Sequence, residues 1–170
     1  MATAAQSVTG DTEIRRTLRD GDTRAISDLH RRVYASEYGL NEAFVESVQQ
    51  GLDAAVARGW PAQDGAVWLP ERDATLLGAL GLTDEGDGLG RVRWFVLDPE
   101  LRGRGLGRLL VAQLLDEARA AGLRQLELAT FSRLAAAARI YRDAGFRVTW
   151  EREQEDWGPA VTFQGYVLEL

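Results

Sequence analysis

The sequence contains no cysteine and a single histidine, His30, among its 170 residues. Disulfides, thiolate metal clusters, a cysteine nucleophile and a zinc site built on several imidazoles are therefore excluded. No apolar run approaches the ~20 residues that span a bilayer, and residues 1–11 lack the basic start and apolar run of a secretory signal. We therefore expect a cytoplasmic protein without a metal, whose chemistry depends on oxygen-bearing side chains, backbone groups or a cofactor.

Basic residues are also too few to give the chain a positive charge. There are 20 Lys and Arg against 26 Asp and Glu, which gives a formal net charge of −6. Nucleic-acid binding usually requires a basic surface, so we expect neither a nucleic acid nor a membrane among the partners. With 45% hydrophobic and 27% charged residues, the composition predicts a soluble globular protein.

Hydrophobic periodicity predicts alternating groups of strands and helices after a flexible terminus over residues 1–11. The remaining residues, 12–170, are expected to form a single domain. Its predicted helices cover about 22–38, 41–59, 106–121 and 134–144. Its predicted strands cover 12–19, 66–69, 75–82, 91–97, 125–129, 147–155 and 163–170. This order predicts an α+β or α/β domain with a mixed sheet.

A glycine-rich turn, Arg102-Gly103-Arg104-Gly105-Leu106-Gly107, follows the fourth predicted strand and begins a helix. The glycines allow positive φ angles and close approach of a ligand. The helix N-terminus presents free N–H groups and the positive end of its dipole, which together bind phosphate. Arg102, Arg104 and Arg108 add cationic, forked donors, and residues 91–108 hold five arginines against Asp98 and Glu100.

The spacing of this turn excludes the two common nucleotide motifs. A dinucleotide fingerprint has the pattern G-x-G-x-x-G in an opening βαβ unit, and a P-loop has a Lys before Ser or Thr. Here the pattern is G-x-G-x-G, and no Lys follows it. A specialised phosphate site and a tight turn with solvated arginines remain as interpretations.

Two segments resemble motifs of the acetyltransferase (GNAT) superfamily. Arg102, Gly105 and Gly107 match its central R-x-x-G-x-G motif, and Ala137–Phe146 resembles its A-x-x-hydrophobic-Tyr-x-x-x-Gly-Phe segment. The resemblance implies a GNAT fold: an α+β, three-layer domain with a mixed, mostly antiparallel, twisted sheet of about seven strands and four helices. It also implies an N-acetyltransferase with acetyl-CoA as co-substrate.

The resemblance further implies which residues surround acetyl-CoA. They are Phe95, Val96, Leu97, Arg102, Gly103, Arg104, Gly105, Leu106, Gly107, Arg108, Thr130 and Ser132. Tyr141 is the expected general acid for the departing CoA thiolate, because a phenol with a pKa of about 10 is protonated at neutral pH. A backbone N–H near Phe95 or Val96 is expected to stabilise the oxyanion. Many relatives carry Asn at the position of Leu134, so Thr130 or Ser132 is expected to supply that contact.

The acceptor is expected to be a primary amine, on a small molecule or on a protein lysine or N-terminus. Glu37 or Glu127 is the candidate base, acting through water. Aromatic side chains are expected to line the acceptor pocket, namely Tyr34, Tyr38, Trp94, Trp150 and Trp157. Residues 151–156 hold four acidic groups against Arg152, which favours either a cationic acceptor or a solvated strand edge. His30 is interpreted as a surface or packing residue.

Four further stretches, 30–39, 93–99, 130–132 and the Trp157-Gly158 pair, look like the acetyltransferase half of bacterial proteins in which a MarR-type DNA-binding domain precedes a GNAT domain. Because residues 1–11 cannot hold that domain, we expect a stand-alone version. A non-catalytic acyl-CoA sensor, a regulatory partner that binds no CoA, and a different acyl donor such as succinyl-CoA remain alternatives. A homodimer is also an alternative, in which the last predicted strand pairs with its copy in a second chain.

The first prediction concerns the turn itself. We expect Gly105→Glu to abolish acetyl-CoA binding, because the new side chain would fill the predicted phosphate-binding site and place a negative charge in it. Isothermal titration with acetyl-CoA measures the effect, and an unchanged affinity would refute the assignment of this turn.

Overall fold

The computed structural model describes residues 6–170, in which nine strands form one mixed sheet. The strands are β1 (Gln6–Thr9), β2 (Thr12–Arg15), β3 (Gly65–Arg72), β4 (Thr75–Leu76), β5 (Gly78–Gly86), β6 (Leu89–Leu97), β7 (Gln125–Phe131), β8 (Arg147–Gln154) and β9 (Val161–Glu169). Their spatial order is β1-β2-β3-β5-β6-β7-β9-β8, with β4 paired to β3. Every neighbouring pair is antiparallel except β6 and β7.

Four helices cover the sheet, as the sequence predicts. Helix α1 begins as Asp22–His30, continues through a π-helical turn, Arg31–Ala35, and ends in the short segment Ser36–Tyr38. The others are α2 (Glu42–Ala57), α3 (Leu106–Ala120) and α4 (Ala135–Asp143). No helix within residues 6–170 is both long and apolar enough to cross a bilayer.

The two faces of the sheet carry separate hydrophobic cores, so the domain has three layers. Strand β3 is buried along nearly its whole length, and its alternating side chains serve both faces. Trp68 points toward the core formed with α3 and α4, whereas Val67 and Leu69 point toward the core formed with α1 and α2. The predicted α+β class, the mostly antiparallel mixed sheet and the four helices are therefore confirmed.

The N-terminal part of the prediction needs a correction. A flexible terminus was expected over residues 1–11, but residues 6–9 form β1 and pair antiparallel with β2. Gly10 has a φ of 60° and allows the chain to turn between these strands. Together with the two-residue β4, this strand raises the number of strands from about seven to nine. The remaining part of the predicted terminus, residues 1–5, lies outside the described residues.

A buried ion-pair cluster fixes the start of α1 against the sheet. Arg15 of β2 donates to Asp22 at 2.6 Å and to Glu71 at 3.1 Å, and the three side chains are only 10–11% exposed. Burial acts to raise the pKa of Asp22. The hydrogen bonds from Arg15 and from the backbone N–H of Arg19 outweigh that effect, and the pKa lies below its usual value. The cluster therefore holds α1 in place relative to β2 and β3.

We expect Arg15→Met to lower the free energy of unfolding by about 3 kcal/mol, because the two buried carboxylates lose the cation that bridges them and keep only the more exposed Arg19 nearby. Urea denaturation at pH 7 measures the loss. Arg24→Met is the control, since Arg24 makes only an exposed contact with Asp28 at 3.9 Å, and it should change stability by less than about 0.5 kcal/mol. Equal effects of the two substitutions would contradict this role of Arg15.

Candidate active site

Strands β6 and β7 pair at one end and separate at the other. They pair only through Leu89–Arg91 and Gln125–Glu127. Farther along, β6 contains a bulge: Ala79 pairs with Val96 and Gly81 with Arg93, so β6 has one residue more than β5 over this interval. Trp94 lies in the bulge with a φ of 53°. A bulge bends its strand, and the rest of β6 is left without a partner on the β7 side.

Space for the Trp94 ring comes from a glycine on the neighbouring strand. A Cβ atom on Gly81 would lie 2.6 Å from a ring carbon of Trp94, which is closer than atoms can approach. The ring also packs against Trp60, with centroids 4.8 Å apart. The bulge is therefore held in place by aromatic packing on one side of β6.

The first of two adjoining cavities, here called the outer cavity, has a volume of about 460 Å³. It lies between the glycine-rich turn, the first turns of α3 and α4, and helix α1. Its walls contain the cations Arg102, Arg108 and Arg139, and no carboxylate among the described residues. The cavity therefore suits a long ligand that carries negative charge at one end.

The three glycines of the turn have different roles. Gly103 and Gly105 have φ angles of 75° and 78°, a conformation that other residues rarely adopt. Gly107 is helical, and a Cβ there would lie 2.9 Å from Ile140, so this glycine allows α3 to approach α4 closely. Helix α3 begins at Leu106 without a side-chain cap. Its first N–H groups are therefore available to a ligand.

Two of the three turn arginines already have acidic partners. Arg102 donates to both carboxylate oxygens of Glu37, at 2.8 and 2.9 Å, and also to the carbonyl of Leu97. Arg108 lies 2.7 Å from Asp143. The positive charge that the sequence predicts around the turn is therefore partly neutralised, and the backbone N–H groups at the start of α3 add to the remaining anion-binding capacity.

The second cavity, here called the inner cavity, is smaller and mostly aromatic, with a volume of about 140 Å³. Tyr34 and Phe95 line both cavities. The Tyr34 hydroxyl donates to the Phe95 carbonyl at 3.3 Å. The other walls of the inner cavity are His30, Phe44, Val48, Val92, Arg93, Trp94, Leu128, Ala129, Thr130, Phe131, Tyr141, Trp157 and Phe163.

The histidine and the tyrosines of the inner cavity are neutral at physiological pH. Burial lowers the pKa of His30 to about 4, although its hydrogen bond to the Ile26 carbonyl acts in the opposite direction. Burial also raises the pKa of Tyr141 and of Tyr34 well above the usual tyrosine value. The Tyr141 ring lies 6.2 Å from the ring of Phe95. Tyr141 therefore carries its proton close to the point where the cavities meet.

The structure brings most of the predicted site residues together. The outer cavity is lined by Tyr34, Tyr38, Phe95, Val96, Leu97, Arg102, Gly103, Gly105, Leu106, Gly107 and Arg108. The inner cavity is lined by Tyr34, Trp94, Phe95, Thr130, Tyr141 and Trp157. The predicted residues that line neither cavity are Glu37, Arg104, Glu127, Ser132 and Trp150.

Contacts elsewhere explain why these residues lie apart. The Glu37 carboxylate is bound by Arg102, and Glu127 lies 3.9 Å from Arg91 in the paired part of β6 and β7. Trp150 of β8 is 43% exposed and packs over Gly165. Ser132 is exposed, and its backbone N–H donates to Thr162. Both glutamates therefore have an arginine partner, and the base role of either one stays a prediction.

The acidic run 151–156 lies on β8 and the turn after it, and none of its residues lines either cavity. Leu134, the position where many relatives carry Asn, presents an apolar side chain to the outer cavity. Thr130 lines the inner cavity and Ser132 lines neither cavity, and a contact of either residue with CoA stays a prediction. Across residues 6–170 no group of three or more His, Asp or Glu side chains is arranged to hold a metal ion.

Sequence reasoning missed several wall residues. His30, Phe44, Arg93 and Phe163 line the inner cavity, and Arg139 and Ile140 line the outer one. Most belong to elements whose apolar pattern indicates only that they are buried. For Arg93 the sequence offers one signal of a role in the site. It is a charged residue directly before the aromatic Trp94, in a strand that is otherwise expected to be half-buried.

Together, the fold and the site define an α+β domain with a cleft at a splayed pair of parallel strands, a glycine-rich helix start at its mouth and an aromatic cavity at its inner end. The family model for the acetyltransferase (GNAT) family matches residues 30–146, more than half of the chain. The chain therefore belongs to the acetyltransferase (GNAT) family.

Solved structures share this fold at low sequence identity. One is yncA from Salmonella typhimurium, described as a candidate acetyltransferase and solved with its cofactor acetyl-CoA, with 22% identity, a TM-score of 0.68 and 95% of each chain covered. The ribosomal-protein-alanine N-acetyltransferase from Brucella melitensis has 20% identity and a TM-score of 0.69, with 92% of this chain and 99% of that chain covered.

An acetyltransferase from Streptococcus agalactiae has 19% identity and a TM-score of 0.72, with 95% of this chain and 100% of that chain covered. A search of curated proteins finds no significant match. At these identities the likeness establishes the fold.

Burial of neutral His30 predicts a pH dependence of stability. The unfolded residue takes up a proton below pH 6.5, whereas the folded residue does so only near pH 4. The contribution of His30 to the free energy of unfolding is therefore complete above pH 6.5 and is lost as the pH falls toward 4. Between pH 6 and 5, this difference between the folded and unfolded pKa should lower the free energy of unfolding by roughly 1.4 kcal/mol per pH unit.

The matched variant is His30→Phe, which keeps an aromatic ring against Tyr34. We expect a smaller loss of unfolding free energy between pH 6 and 5 in this variant than in the wild type, by urea denaturation. Parallel pH profiles for the two proteins would show that His30 does not titrate in this way.

Proposed function

We propose that this protein is an N-acetyltransferase that moves the acetyl group of acetyl-CoA directly to a primary amine. The observation that carries the proposal is the junction of the two cavities at Tyr34 and Phe95. One cavity has an anion-binding turn at its mouth, and the other is an aromatic chamber that holds a protonated phenol. Donor and acceptor would meet at this junction.

The residues of the outer cavity fit acetyl-CoA. The uncapped N-terminus of α3 and the positive φ angles of Gly103 and Gly105 suit a pyrophosphate. The end of β6 that has no β7 partner offers backbone groups to the amides of an extended pantetheine arm. Binding of acetyl-CoA by the similar protein yncA supports this choice of donor.

Acetyl-CoA supplies an activated acetyl thioester. The amine nitrogen forms a bond to the thioester carbonyl carbon, the carbon–sulfur bond breaks, and the amine proton leaves to water. Tyr141 donates its proton to the departing thiolate, and a proton from solvent restores it. Burial raises the pKa of Tyr141 and would also make a thiolate in the same surroundings more basic, so the phenol keeps its proton until the thiolate forms.

Neither cavity presents a carboxylate within the described part of the chain, so we propose that the acceptor enters as the neutral amine. A backbone N–H near Phe95 or Val96, in the part of β6 that β7 leaves unpaired, would stabilise the oxyanion. The role proposed for Glu37 is to hold Arg102 beside the turn.

The main alternative is a sensor that binds acyl-CoA without turnover. Release of CoA, followed with a thiol reagent over a panel of amines, distinguishes the two. Amine-dependent release supports the enzyme. Stabilisation by acetyl-CoA without release on any amine supports the sensor, and the absence of any thermal shift with acetyl-CoA contradicts both.

Tyr141→Phe tests the proposed acid. We expect kcat to fall by about 100-fold, while the affinity for acetyl-CoA changes less than about threefold, because the ring is retained. Steady-state kinetics and isothermal titration measure the two effects. Tyr166→Phe is the matched control, because Tyr166 is also buried but lines neither cavity. An unchanged kcat in Tyr141→Phe removes the residue from the acid role.

Four further expectations belong with this proposal. We propose that residues 12–170 act as one domain, that the protein works in the cytoplasm, and that it is related to the acetyltransferase halves of MarR–GNAT proteins. The last strand, β9, lies between β7 and β8, so a homodimer would pair two copies through the edge strand β8 instead.

A further inference from the structure

Arg93 is a half-buried cation without an acidic partner. Within residues 6–170 its guanidinium makes no ion pair or hydrogen bond with another side chain, in contrast to Arg102 and Arg108 at the turn. It lies over the ring of Trp94, 4.2 Å from the centroid, and Arg93 lines the inner cavity. Burial lowers the pKa of Arg93, and Glu85 acts in the opposite direction, but the group remains cationic.

A glycine in the middle of a helix makes room for this guanidinium. Gly51 lies inside α2, and a Cβ atom on it would lie 2.6 Å from a terminal nitrogen of Arg93. Glycine is less favourable than alanine at such a position. Gly51 therefore makes α2 less stable than alanine would, but it leaves space for a cation beside the cavity.

The remaining walls of the inner cavity carry no charge at neutral pH. They include the rings of Phe44, Phe131, Trp157 and Phe163 together with neutral His30. Arg93 is the single cation among the described walls of this cavity, and no carboxylate accompanies it. An ammonium group would be repelled by Arg93, whereas a carboxylate would be attracted to it and could accept two parallel hydrogen bonds.

We propose that the acceptor is a small amine that carries an aromatic ring and a carboxylate, and that Arg93 binds this carboxylate. The inference rests on the proposed function and specifies its substrate class. The ring would pack among the aromatic walls, and the amine would point toward the junction at Phe95 and Tyr34. A protein lysine and a polyamine lack the carboxylate and present further positive charge, so the inner cavity disfavours them.

The first experiment compares matched acceptor pairs that differ only in the carboxylate: phenylalanine with phenethylamine, tryptophan with tryptamine, and 4-aminobenzoate with aniline. For the wild type we expect kcat/KM to be at least about 10-fold higher for the carboxylated member of the preferred pair. A lysine peptide and spermidine complete the panel. Higher kcat/KM for a decarboxylated amine, the peptide or spermidine would overturn the inference while leaving the proposed function intact.

The second experiment removes the cation. In Arg93→Gln we expect KM for the carboxylated acceptor to rise by about 10- to 100-fold, while its decarboxylated partner changes less than about threefold. Arg91→Gln is the matched control on the same strand, because Arg91 is exposed and lines neither cavity, and it should leave both values unchanged. Equal changes for both members of a pair in Arg93→Gln would overturn the inference.

Gly51→Ala provides a variant that should fold at least as well as the wild type, since alanine favours the helix. We expect it to displace the guanidinium and to raise KM for the carboxylated acceptor with no loss in melting temperature. An unchanged KM in both Gly51→Ala and Arg93→Gln would contradict the proposal that Arg93 binds the carboxylate of the acceptor.

A binding measurement separates this inference from the acetyltransferase assignment, because it requires no turnover. We expect 3-phenylpropionate to quench tryptophan fluorescence of the wild type, and the uncharged 3-phenylpropanol to bind at least about 10-fold more weakly. Arg93→Gln should abolish that difference. Equal binding of both compounds by the wild type would overturn the inference, whereas CoA release assays decide the proposed function independently.

Discussion

The divergence of β6 from β7 is the constraint on which both cavities depend. The two strands are parallel, and they pair only through Leu89–Arg91 of β6 and Gln125–Glu127 of β7. The bulge at Trp94 bends β6 after that point. Because helices α3 and α4 follow these two strands in the chain, the start of each helix lies beside the opening. The cleft is therefore a consequence of strand geometry rather than of a missing side chain.

Charge around the site is organised by pairs that hold cations at fixed places. Arg102 is held by Glu37 and Arg108 by Asp143, so these two arginines line the outer cavity with part of their charge neutralised. Arg93 has no such partner among the described residues and lies in a largely aromatic surrounding. A half-buried cation of this kind retains most of its capacity to bind an anion, because no carboxylate is in direct contact with its guanidinium.

The parts of the fold that the sequence predicts well have strong local signals. Asn41 accepts a hydrogen bond from the Phe44 N–H at 3.2 Å and starts α2, as its residue type indicates. The turn from Arg102 to Gly107 has positive φ angles at two of its glycines. Strand β1 was missed because its residues have little hydrophobic alternation. Its pairing with β2 is a contact between segments, which local pattern does not reveal.

For the candidate site, the sequence by itself determined the family and the position of the glycine-rich turn, because turn geometry and helix starts depend on residues that are adjacent in the chain. Only the tertiary structure decided which side chains share a cavity. Glu127, Ser132 and Trp150 line neither cavity, whereas His30 and Arg93 line the inner one. The physical reason is that the direction of a side chain on a bulged strand, and the partner that a charge finds, depend on elements far apart in sequence. Gly51 and Arg93 become neighbours only when α2 packs on β6.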